Sequence, residues 1–288
     1  MSVSSPILVR TMPRARTAKI IELASWLFAA LGALLPIALA TPLFAIYVDA
    51  LEGATGVRGE RDMIAVFAGI VGGTIAGKWV LHACIARFGL RRGARWARDA
   101  TAAGLAVWWI VDSLSSLAFG AWPNVIMINF LPLLAVGVPL VFVWRALAAG
   151  DSDAVPDRIV VAVGWVVLVS GIGMAVIAAT PALDFWFAAM DAAGIAGPDA
   201  RPLALAFFGP MGGTTAAQGA MMVYLGRRAG SEPWATPACL ASILTWFVID
   251  SSYSLAYGAA FNVLFVNLPF VVLVVPPLLW AWLRRRKG

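Results

Sequence analysis

One histidine and two cysteines in 288 residues leave little material for metal or redox chemistry. His82 has no Cys or His neighbour at zinc-ligand spacing. Cys84 and Cys239 fall at non-equivalent places of the repeat described below, so they read as free thiols and small packing residues, not as a disulfide. No P-loop or dinucleotide glycine fingerprint is present. Gly72-Gly73-Thr74 is not one, because no lysine follows it directly and its surroundings are apolar. No cofactor is expected, and no residue is assigned a catalytic role. Charge is scarce too, at 12% of residues, where a soluble domain carries about 25%.

Apolar residues fill the space instead. They make up 61% of the chain, and mean hydropathy is +0.88. Continuous runs exceed the roughly 18 residues that mark a spanning helix. A spanning barrel would show short alternating segments, which these runs exclude. The expected class is an all-α polytopic integral membrane protein, with spans near 20–47, 63–87, 100–120, 124–147, 159–183, 202–226, 237–258 and 262–283. Gly53, Gly56 and Gly59 mark the first loop, Asp151, Ser152, Asp153 and Pro156 a central join, and Pro198, Asp199 and Pro202 a later loop.

The chain repeats itself. Trp108, Asp112, Ser113, Ser116, Gly120, Asn124, Asn129 and Pro139 recur 138 residues later as Trp246, Asp250, Ser251, Ser254, Gly258, Asn262, Asn267 and Pro277. Weaker matches continue outside this stretch: Ala40-Thr41-Pro42 with Ala179-Thr180-Pro181, and Gly72-Gly73-Thr74 with Gly212-Gly213-Thr214. Eight spans thus divide into two four-helix repeats, 19–150 and 151–288, after a basic arm at 1–18. Four is even, so the repeats are parallel, related by a pseudo-two-fold axis along the membrane normal.

The basic residues are sorted by side. Seventeen of 21 Lys and Arg lie in the N-terminal arm, the second loop, the join, the sixth loop and the tail. Arg58, Arg61 and Arg201 lie opposite, and Lys78 lies inside a span. Both termini are therefore expected in the cytoplasm, in a bacterial-type inner membrane. This sorting accounts for the net charge of +6 without a nucleic-acid partner. The N-terminus also mimics a secretory signal ending Ala38-Leu39-Ala40. Its counterpart in mid-chain, ending Ala179-Thr180-Pro181, argues that it is a retained span.

Polar residues gather at one depth. Counted from the tight hairpins at Gly120-Ala121 and Gly258-Ala259, Asp112, Asn129, Asp250 and Asn267 lie roughly 11–14 Å down at 1.5 Å per residue. Thr74 and Thr214 reach ~15–18 Å from the same face. Ser116 and Ser254 extend the stripe outward, and Asn124 and Asn262 sit at its mouth. Gly69, Gly73 and Gly77, and Gly209, Gly213 and Ala217, form small-residue rows that read as packing seams, and Gly72-Thr74 and Gly212-Thr214 beside them could also bare carbonyls to a ligand. An ionised Asp in mid-span costs roughly 2.5–3.5 kcal/mol. Such residues either clamp helices or bind something. If the two carboxylates meet, they share a proton. If they stay apart, each half holds a site suited to a cation or a polar amine.

Singletons have quieter readings. Lys78, where the second copy has Gln218, snorkels or pairs, or makes the halves unequal. His82 is a core or interface residue, Asp184 an interfacial one, and Glu22 a favourable helix-start charge. Pro36, Pro42 and Pro181 predict kinks. Trp108, Trp109 and Trp246 lie inside and are able to wall a cavity. The functional expectation is a small transporter, proton- or cation-coupled, for a small polar or cationic solute. The alternatives are a membrane-embedded enzyme or binding module for a lipid-like substrate, and an accessory subunit. An apolar pocket opening sideways to lipid beside an aspartate would favour the enzyme or binding module.

Overall fold

The computed structural model describes residues 14–38, 41–58, 61–147, 154–195 and 201–286. The expectations for the arm before Arg14, Gly59, the join at 151–153 and the loop at 198–199 lie outside these residues. The described residues are helical, with no strand. In chain order they form α1 (Arg14–Ala33), α2 (Pro42–Thr55), α3 (Arg61–Phe88), α4 (Arg95–Ala118) and α5 (Asn124–Val143). Next come α6 (Arg158–Ile177), α7 (Asp184–Ala192), α8 (Arg201–Gly226), α9 (Ala235–Ala256) and α10 (Ala260–Arg286).

Among the described residues, six helices are long and apolar enough to cross a membrane: those containing α3, α4, α5, α6, α9 and α10. The chain therefore has the make-up of a multi-pass membrane protein. α1 and α8 are comparably long but less apolar. α1 carries Arg14, Arg16, Lys19 and Glu22 in its first half. α8 is built from glycine, alanine and threonine with Gln218, and nearly all of it is buried.

The first and fifth expected spans are shorter than the sequence suggested. α1 stops at Ala33 and α6 at Ile177, and short separate helices follow. Thr41 caps α2 with its hydroxyl, and Pro42 opens that helix. Thr180 and Pro181 do the same before α7. Thr-Pro is a start signal, because the hydroxyl takes an orphan N–H and proline needs no partner there. The prolines expected to kink a span therefore begin a new helix. Gly53 lies inside α2, and the turn comes at Gly56, whose φ of +72° suits glycine.

The core is organised around α3 and α8. α1 and α9 pack on α3, α4 and α6 pack on α8, and α3 meets α8 directly. Each sequence copy therefore lays its α4-type helix on the other copy's central helix. Buried apolar residues form two clusters. One holds the Arg-rich end, including Leu81, Trp108, Leu225 and Trp246. The other holds the opposite end, including Phe67, Trp186, Phe207 and Met211. Along α3, α8, α4 and α9 the switch between clusters falls around Thr74, Thr214, Asp112 and Asp250.

At the Arg-rich end, Glu22 pairs with Arg91, Arg92 with Glu232 at 3.1 Å, and Asp157 with Arg284 at 3.1 Å. Burial raises the pKa of Asp157, but bonds from Arg285 and the N–H groups of Ile159 and Val160 outweigh that, and hold its carboxyl below the ordinary range. At the other end Asp184 takes Arg201 at 2.7 Å.

Candidate functional site

Glycine sets how closely the helices approach. A Cβ on Gly213 of α8 would lie 2.7 Å from the Asp112 Cβ. A Cβ on Gly73 of α3 would lie 2.9 Å from the Asp250 Cβ, and one on Gly77 would lie 2.8 Å from the Ser242 carbonyl. The small-residue rows are seats for α4 and α9. They put each aspartate against the central helix of the other sequence copy. Between them, the hydroxyls of Thr74 and Thr214 stand 2.8 Å apart, and each also reaches a carbonyl of its preceding turn. Asp112 and Asp250 therefore flank the α3–α8 pair on opposite sides.

Each carboxylate is enclosed by donors. Asp250 Oδ2 accepts from Trp246 Nε1 at 3.1 Å. Its Oδ1 accepts from Ser254 Oγ at 3.0 Å, Asn262 Nδ2 at 2.9 Å and Asn267 Nδ2 at 2.9 Å. Asp112 repeats the pattern with Trp108 at 3.0 Å, Ser116 at 3.0 Å and Asn124 at 2.7 Å. Asn129 and Asn267 also donate to Ser113 and Ser251, at 3.2 Å and 3.1 Å. Indole and amide N–H groups can only donate, so the arrangement suits an ionised carboxylate. Such bonds contribute about 1.5–3 kcal/mol each, enough for three or four of them to offset the insertion cost of an Asp. Ser116, Ser254, Asn124 and Asn262 are all buried in these clamps.

The clamp depends on an irregular backbone. Asn262 and Asn267 are five residues apart, roughly 140° around an α-helix. Here the backbone over Val263–Asn267 widens to i→i+5 bonding, as it does over Asn124–Asn129. The wide turn brings both asparagines to one face. Pro132 and Pro269 follow closely, and each removes the N–H that would close the ordinary turn. Gly120 and Gly258, with φ of +74° and +78°, turn the chain sharply enough for α5 and α10 to fold back.

The two sites differ in what lies beside them. A cavity of about 350 Å³ borders Asp250. Thr74, Ser170, Thr215, Gln218, Asn262 and Asn267 supply its other polar lining, and Met174, Met211, Ile243, Trp246 and Phe270 are among its apolar walls. Ile177 and Phe185, 41% and 58% exposed, place its rim at α6 and α7. Asp112 is not on this wall. Near it Lys78, fully buried, packs its amine 3.6 Å from the Trp79 ring centre and 4.2 Å from that of Trp108.

The remaining candidates have structural settings. His82 is fully buried, with Nδ1 3.0 Å from Ser25 Oγ. Ser25 gives its one hydrogen to the Ile21 carbonyl, so Nδ1 donates. Cys84 and Cys239 are free thiols. Among the described residues no three His, Cys, Asp or Glu side chains cluster as metal ligands. Tyr47, whose hydroxyl donates to Asn124 Oδ1 at 3.4 Å, has no polar counterpart in the repeat that would single it out from sequence. For Trp108 and Trp246, the place one turn before each aspartate was a usable signal. No known protein family matches the chain, and no curated protein or solved structure matches it either.

Proposed function

We propose that this is a small transporter of the cytoplasmic membrane with one substrate site, the cavity beside Asp250. In this reading α1 and α8 also span, giving eight crossings in two parallel four-helix repeats. The support is that α1 matches α6 in sequence and α8 matches α3. The sorting of Lys and Arg supports cytoplasmic termini. The observation that carries the function is the cavity, a hollow at the lower end of the ~300–1,000 Å³ range of ligand sites. It lies at the level of the polar residues, with a carboxylate and amides on an otherwise apolar wall. Asp112 and Asp250 stand apart, so a proton shared between them has no place here. A coupled proton or cation would use Asp250 alone.

A second reading draws support from the rim. Ile177 and Phe185 are apolar and exposed, which suits a lipid-like substrate arriving sideways at a membrane-embedded enzyme or binding module. Reconstituted liposomes separate the two. Gly173 lines the cavity, and a Cβ there meets nothing within 4 Å. Wild-type protein should give saturable flux of a small amphipathic solute, and Gly173→Leu should abolish it while folding normally. Undiminished flux in Gly173→Leu ends the transport reading of this cavity. Binding without flux in wild type selects the second.

A further inference from the structure

The first half carries a lysine where the second has a hollow. Lys78 corresponds to Gln218, Trp108 to Trp246, Asp112 to Asp250 and Asn129 to Asn267. In the first half the Lys78 amine lies on two indole faces, one of them the ring that donates to Asp112. That Nζ makes no hydrogen bond, and neither does Asn129 Oδ1. One half thus holds a buried orphan donor and a buried orphan acceptor around a Trp–Asp pair.

The second half keeps the acceptor and lacks the donor. Asn267 is fully buried, lies on the cavity wall, and its Oδ1 has no partner. The Gln218 amide is engaged elsewhere, donating to Ser242 Oγ at 2.7 Å. Ser170 and Gly173 of the cavity wall stand where the first half has Leu31 and Leu34. The lysine is replaced, and the cavity borders the corresponding indole and carboxylate, Trp246 and Asp250.

We infer that the cavity binds an amphipathic amine, its ammonium on the Trp246 face beside Asp250 and its apolar body against Met211, Ile243 and Phe270, with Lys78 holding the equivalent place in the first half. This rests on the cavity being the substrate site. An unpartnered carbonyl oxygen calls for a donor. A buried carboxylate without an ion-pair partner calls for positive charge. An indole face adds attraction for a cation. An anion meets Asp250 directly. A sugar would leave most of its hydroxyls against apolar wall.

The test uses the full chain purified in detergent and calorimetric titration with three probes of one shape: phenethylammonium, phenethyl alcohol and 3-phenylpropionate. The ammonium should bind about tenfold or more tighter than the alcohol, and the carboxylate should not bind. Gln218→Lys, which supplies an internal amine, and Gly173→Leu, which fills the space, should each abolish ammonium binding. If the alcohol binds as tightly as the ammonium, and Gly173→Leu removes both, the amine inference falls while the cavity remains a site. If no probe binds, or Gly173→Leu leaves binding unchanged, the cavity is not a site and the amine inference falls with it.

Discussion

An aspartate inside a membrane protein invites a functional reading, yet the first thing Asp112 and Asp250 do is hold a hairpin shut. Each takes N–H and O–H donors from both arms, including an asparagine twelve residues on. Removing a donor leaves a buried carboxylate under-satisfied. Asn124→Ala and Asn262→Ala should each cost about 1–3 kcal/mol in stability, measured as thermal unfolding in detergent. Asn124→Ala should cost at least as much as Asn262→Ala, because it also gives up the bond from Tyr47. Only Asn262→Ala should also change ligand binding, since Asn262 alone of the two lines the cavity. The repeated Trp-x-x-x-Asp-Ser run showed which residues recur. It did not show that asparagines at the hairpin tip would turn back onto the carboxylate.

Helices were legible where chemistry is local and hidden where proline changes the winding. The apolar runs located α3, α8 and α9 to within two residues and overran the end of α6 by six. An ordinary helical wheel put Asn124 and Asn129 on different faces, and only a widened turn joins them. The Thr-Pro pairs carried the right chemistry, a helix start, but read as kinks because apolar sequence continues through them.

Packing gives a direct test at this scale. Gly73→Ala and Gly213→Ala should each lose about 1–3 kcal/mol by overpacking. Gly53→Ala, in α2 with nothing within 4 Å of its Cβ, should be neutral or gain roughly 0.5–1 kcal/mol. Thermal unfolding of the three variants checks the ordering.

Asp157 supplies the pH dependence. It caps α6 and ties it to the end of α10. Its carboxyl is held below the ordinary range, so its contribution is complete above about pH 4 and is lost as pH falls through the lowered value. Asp157→Ala should cost about 1 kcal/mol at neutral pH, and Asp157→Asn less, since asparagine still caps. The gap between wild type and Asp157→Ala should close as unfolding is repeated at falling pH. A gap that widens in acid contradicts this assignment.

For the whole molecule, the sequence copies and the packing units are different objects. Duplicated transporters invite a picture of two halves rocking. Here α4 sits on α8 and α9 on α3, at seams a methyl group would disrupt. Separating residues 1–150 from 151–288 would break both of these seams. Each fragment expressed alone should be degraded or protease-sensitive, and co-expression should restore a resistant complex. Two independently resistant fragments would contradict the interleaving. The asymmetry between the halves was half visible: Lys78 against Gln218 could be read from the sequence, but the hollow beside Asp250 needed coordinates.

The central claim is that the cavity beside Asp250 admits a ligand, whereas Lys78 occupies the corresponding place near Asp112. Treatment of the membrane-embedded protein with dicyclohexylcarbodiimide, followed by mass spectrometry of its peptides, asks this of both carboxylates at once. The expected result is an adduct on the peptide bearing Asp250, reduced by Gly173→Leu, and none on the peptide bearing Asp112. Equal modification of the two, or modification of Asp112 alone, would contradict the account.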